Sequence, residues 1–123
     1  MAVLNANTVS DGGTNVTARV WANFNGVVNQ VGVRGGYNAT SVTRHALGNY
    51  TLNYSITLPN TSYCVLLTGS SSQFSSANCS IGIYAASGND NQANLTTTSV
   101  RMLQQAGSGA NVDTNSIHVL VFR

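Results

Sequence analysis

Residues 48–60 read Gly48-Asn49-Tyr50-Thr51-Leu52-Asn53-Tyr54-Ser55-Ile56-Thr57-Leu58-Pro59-Asn60, and this stretch decides the fold class. Tyr50, Leu52, Tyr54 and Ile56 alternate with Thr51, Asn53, Ser55 and Thr57. A side-chain period of two is that of a half-buried strand, not a helix. Gly48-Asn49 opens the run, and Pro59-Asn60 breaks it with turn chemistry. The next apolar run, Ser62 to Thr68, is predicted to return antiparallel beside it as a hairpin.

The same reading extends both ways. Upstream, Thr17 to Phe24 is a strand ending at Asn25-Gly26. Val27 to Arg34 is its hairpin partner, stopped by Gly35-Gly36, and Ala39 to Arg44 is a short strand. Downstream lie Ser80 to Ala86, Ser99 to Ala106 and Ser116 to Arg123, separated by Gly/Ser/Asn/Asp-rich loops at 69–78, 87–95 and 107–115. Seven to eight strands at this spacing, with no significant helix, predict an all-β antiparallel β-sandwich of jelly-roll-like form over residues 17–123. Residues 1–16 remain as an N-terminal clasp segment, with Val3, Leu4 and Val9 as its apolar side chains. Trp21, Phe24, Tyr54 and Phe122 are expected to fill the core.

Composition supports this. There are five arginines, three aspartates, no lysine and no glutamate, so only 7% of residues are charged. A typical domain carries about 25%. Asn, Ser and Thr supply 43 of the 123 residues and take over the polar work. They favour turns and strands, whereas the missing Lys and Glu favour helices. A neutral, short-chained surface suits packing against protein or sugar hydroxyls. Net charge is +2 with no basic run, which argues against nucleic acid. No apolar run approaches the length of a membrane helix. No basic, apolar leader opens the chain, so synthesis in a cytoplasm is expected.

The closing strand carries apolar residues on both faces: Ile117, Val119 and Val121 on one, His118, Leu120 and Phe122 on the other. Two-sided cover is therefore required. The second cover is either a neighbouring chain or the rest of a single sandwich. Val3, Leu4, Arg34, Arg101, His118, Leu120, Phe122 and Arg123 are the candidate subunit-interface residues. Among them the arginines are expected to bond main-chain carbonyls or terminal carboxylates across subunits.

No catalytic set stands out. Asp11, Asp90 and Asp113 lie among Gly and Asn as turn residues, not as a facing carboxylate pair. Neither His45 nor His118 has a marked nucleophile or acid partner. Cys64 and Cys79 read as buried thiols or as a late disulfide between neighbouring strands, and no ligand cluster for a metal accompanies them. No enzyme, cofactor or metal is expected. For binding, Tyr37, Arg44, His45 and Phe74, in loops or, for Arg44, at the strand end beside one, are candidate contacts to a host surface glycan.

Several segments fall into a familiar order. Arg19-Val20-Trp21-Ala22-Asn23-Phe24-Asn25-Gly26 opens it, and Asn38, Ser41 and Val42 follow. Gly48, Tyr50, Thr51, Asn53 and Tyr54 come next, then Pro59 and Tyr63, and the chain closes on Phe122-Arg123. This pattern resembles a module of bacteriophage tail-fibre and related virion proteins across most of residues 17–123. Arg44-His45-Ala46-Leu47 stands where the family pattern has Asp-Asn-Gly. The resemblance implies a structural module of the virion surface, often trimeric, most simply a tail-fibre or receptor-binding tip component. Without a shaft or anchor of its own, it is expected to attach non-covalently to fibre, baseplate or major capsid protein. A capsid decoration (cement) protein and a free carbohydrate-binding module are the alternatives.

Overall fold

The computed structural model describes residues 10–11, 14–15, 18–70, 79–85 and 91–123. Val3, Leu4 and Phe74 lie outside the described residues, as does most of the expected clasp. Of residues 1–16, Ser10–Asp11 (β1) and Thr14–Asn15 (β2) form a short antiparallel ribbon.

Eight longer strands follow: β3 (Ala18–Asn25), β4 (Gly32–Tyr37), β5 (Ala39–Ala46), β6 (Asn49–Tyr54), β7 (Cys64–Gly69), β8 (Cys79–Ile83), β9 (Ser99–Ala106) and β10 (Ile117–Phe122). They make two antiparallel sheets of four, ordered β4-β3-β10-β7 and β5-β6-β9-β8. The chain is thus an all-β antiparallel sandwich. Among the described residues the helical content is a single 3-10 turn at Asn91–Asn94. None of them forms a helix long and apolar enough to cross a membrane.

The core lies between the sheets. Val20, Ala22 and Phe24 of β3 and Ile117, Val119 and Val121 of β10 face Tyr50, Leu52 and Tyr54 of β6 and Val100 and Met102 of β9. Strict alternation on these central strands makes the layer. Aromatic edges lock it: the Phe24 and Tyr50 rings meet nearly perpendicular at 5.6 Å, and Tyr54 meets Tyr63 at 6.3 Å.

Two expected hairpins resolve differently. β3 and β4 do pair, from Trp21 opposite Tyr37 to Asn25 opposite Gly32. However, β4 starts five residues later than expected and runs through Gly35-Gly36 instead of stopping there. Trp21 explains this. A Cβ on Gly36 would sit 2.9 Å from the Trp21 carbonyl oxygen, and the indole lies over Gly35. The glycines let the strands close up under a large ring. β6 and β7 do not pair at all. β6 lies between β5 and β9, while β7 pairs with β10 in the other sheet. The linking segment is an arch, not a turn. Leu58 and Tyr63 are buried, Leu58 N donates to Thr97 O at 2.7 Å, and Pro59 and Asn60 stay outside. Each strand has an apolar inner face, and crossing over lets both faces meet in the core.

β4 and β5 lie in opposite sheets, joined by one residue. Asn38 makes this corner in the left-handed region, at φ 55°. Asparagine tolerates that conformation, and here its Nδ2 donates to Arg19 O at 2.8 Å.

Candidate functional site

Alternation along β3 sends Val20, Ala22 and Phe24 inward and Trp21 and Asn23 outward. The outer face of the β4-β3-β10-β7 sheet follows from its register. Trp21 stands opposite Tyr37 on one side and Leu120 on the other, and Leu120 stands opposite Leu66. One apolar row, Tyr37–Trp21–Leu120–Leu66, therefore crosses all four strands. It is open to solvent: Trp21 is 44% exposed, and Tyr37 and Leu66 are each 55% exposed. The adjacent row is polar, with His118 opposite Asn23 and Thr68. Between the rows runs a groove of about 550 Å³ lined by Trp21, Asn23, Leu66, Thr68, His118 and Leu120, with backbone neighbours. None of these side chains carries a fixed charge. Asn23 Oδ1 lies buried at this face without a hydrogen-bond donor. His118 Nε2 shares a hydrogen bond with Ser116 Oγ at 3.1 Å.

Trp21 and Phe122 were expected in the core; both belong to this outer face, Trp21 exposed and Phe122 half-buried. The signal was available in the strand period. Trp21 and Phe24 are an odd number of residues apart, so one strand cannot bury both on one face.

At one end of the sandwich sits a second polar centre, at a residue expected to be an ordinary turn aspartate. Asp113 is buried and accepts from Arg44 Nε and Nη2, the latter at 2.8 Å, from Gly48 N at 2.9 Å, and from Tyr50 Oη at 2.7 Å. Burial pushes its carboxyl pKa up, but the Arg44, Gly48 and Tyr50 donors outweigh this and hold it below the usual carboxylate value. Burial, reinforced by the same carboxylate, pushes the Tyr50 phenol well up, and the hydrogen bond to Asp113 raises Arg44. The cluster ties β5 and β6 to the segment leading into β10. Both Asp113 oxygens, the Gly48 N–H and the Tyr50 hydroxyl find their partners within it, so it acts as a structural staple.

Of the candidate glycan contacts, the three among the described residues, Tyr37, Arg44 and His45, do not converge. Tyr37 lies on the outer face just described. Arg44 was expected at the end of a strand and His45 in the loop after it; both are on β5, Arg44 bound to Asp113 and His45 exposed beside Thr51, whose Oγ1 is 2.8 Å away. Burial and the nearby Arg101 lower the His45 pKa. The interface candidates also divide. His118, Leu120 and Phe122 share the open face, and Arg123 follows it, exposed at the end of β10. Arg34 is the exposed extra residue of a β-bulge in β4, between the pairs Asn23–Gly35 and Phe24–Val33. Arg101 belongs to the other sheet.

Cys64, expected to be buried, is a free and exposed thiol on β7. Among the described residues no group of His, Cys, Asp or Glu is arranged to hold a metal ion. No protein-family model matches the chain, and no curated protein or solved structure is significantly similar to it. The likeness to the tail-fibre module rests on the residues quoted above.

Proposed function

We propose that this chain is a structural protein of a bacteriophage virion surface, a tail-fibre or receptor-binding tip component that works by contact and not by catalysis. One observation carries the contact reading: the apolar row Tyr37–Trp21–Leu120–Leu66, continuous across all four strands of one sheet and left open to solvent. Roughly 100 Å² of apolar surface remains on each of the three most exposed members, so covering each contributes about 2 kcal/mol. Exposed apolar side chains aligned across a whole sheet mark a contact surface.

The favoured occupant is a sister copy, in a trimer. No Arg, Lys, Asp or Glu lines the groove, so identical surfaces meet without a clash of permanent like charges. Sedimentation or light scattering on the purified chain tests this. Trimers are expected for the wild type. The double variant Trp21→Gln/Leu66→Gln is expected to be monomeric, with its melting temperature lowered only by the lost assembly. A wild type that stays monomeric at high concentration overturns the self-assembly reading. If that monomer binds neutral glycans and the double variant does not, the face belongs to a carbohydrate-binding module instead. Labelling on intact particles then separates tail from head, because a cement protein covers the capsid.

A further inference from the structure

The outer face of the second sheet, β5-β6-β9-β8, has a different chemistry. Its register lines up Thr43, Thr51 and Arg101 across three strands, and Ser41, Asn53 and Ser99 beside them. The small polar groups are pre-ordered. Asn53 Nδ2 donates to Ser41 Oγ and Thr43 Oγ1, each at 3.1 Å. At the centre of this neutral lattice lies one cation. The Arg101 guanidinium carbon stacks 4.3 Å from the centroid of the Tyr84 ring, and its Nε donates to Asn49 Oδ1 at 3.0 Å. Among the described residues no carboxylate meets it; Asp113 is taken by Arg44. Two residues further along β9, Leu103 stands opposite Gly82, and open space lies where the Gly82 side chain would be.

We propose that Arg101 is the anion-binding head of a second site, and that its ligand is a carboxylate-bearing saccharide. The guanidinium lies over the ring and is tied through Nε, so little side-chain freedom is left to lose on binding, and neither tie uses its terminal nitrogens. A guanidinium fork matches a carboxylate in charge and geometry. The surrounding hydroxyls and amides offer the donors and acceptors that sugar hydroxyls need. Charge density selects the class of ligand. An acidic peptide or a nucleic acid presents closely spaced anions and needs several cations to meet them. This face presents one, which suits a polymer with a single carboxylate per sugar ring. The site is independent of what covers the apolar row.

The test is titration of the full chain, by calorimetry or NMR, with oligogalacturonate, glucuronate-containing and sialylated oligosaccharides, a neutral dextrin and an oligoaspartate peptide. At least one carboxylated saccharide is expected to bind and to weaken with added salt, with the neutral dextrin at least about tenfold weaker. Arg101→Gln is expected to lose about tenfold in affinity, and Arg101→Lys less, with the melting temperature of each within a few degrees of wild type. Trp21→Gln/Leu66→Gln is expected to bind the saccharide as wild type does, which keeps this site separate from the assembly face. Failure of every carboxylated saccharide to bind, undiminished binding by Arg101→Gln, or tighter binding of oligoaspartate overturns the proposal.

Discussion

Asp113→Ala is expected to cost about 3 kcal/mol of stability, the low end of what breaking a buried ion pair costs. The carboxylate is almost fully buried, whereas the Arg44 side chain keeps 21% of its surface in water and is partly resolvated when freed. Removal also strands the Gly48 N–H and the Tyr50 hydroxyl, both bonded to Asp113 Oδ1. Buried donors without acceptors are the larger part of the penalty. For a domain of this size the loss lowers the melting temperature by roughly 10 °C. Urea unfolding at fixed protein concentration measures it. Asp113→Asn keeps the shape but turns an amide towards Arg44, and should fall between wild type and alanine.

The pH dependence has a definite sign. The folded-state pKa of Asp113 is depressed, so its contribution is fully present above the unfolded value near 4. It is lost as pH falls from there through the folded value. Tyr50 works the other way. Its pKa is raised in the fold, so its contribution holds below about 10 and declines as pH rises beyond that. Asp113→Asn should therefore flatten the acid limb of the stability curve. Parallel acid limbs for wild type and Asp113→Asn would show that the cluster is not a titrating staple.

The staple also marks where sequence reading ends. Local period fixed the strands: Tyr50–Leu52–Tyr54 and Ile117–Val119–Val121 alternate, and all six face the core. Pairing is non-local, and that is where expectation failed. Nothing within residues 50–68 tells a hairpin from an arch, because both place an apolar face on each strand. What separates them is the burial of Leu58 against β9's flank, 39 residues downstream at Thr97. Asp113 and Arg44 are 69 residues apart, with no shared motif. The open apolar face was half legible. The two-sided closing strand pointed to it, and the parity of Trp21 against Phe24 would have completed it. The Arg101–Tyr84 stack joins strands whose register no local pattern states.

Gly48→Ala is the second large effect, at about 3–4 kcal/mol, and it acts on the same end of the sandwich through the backbone. Gly48 closes the β5–β6 turn at φ 68°, a conformation that costs a non-glycine residue about 1 kcal/mol. Space is the harder limit. A Cβ there would overlap the Gln104 carbonyl oxygen and lie 2.8 Å from the Val112 carbonyl oxygen. Both are main-chain atoms, so no side-chain rotation relieves the clash. The turn must move. It then gives up Gly48 N to Asp113 at 2.9 Å and Gln104 N to Gly48 O at 2.8 Å, each worth about 1 kcal/mol. Gly82→Ala is the matched control, because nothing lies within 4 Å of its added Cβ. Its unfolded chain loses freedom while its fold is undisturbed, so stability should hold or rise by about 0.5 kcal/mol. Equal unfolding midpoints for the two alanine variants would mean that the turn is not held between β9 and the segment before β10.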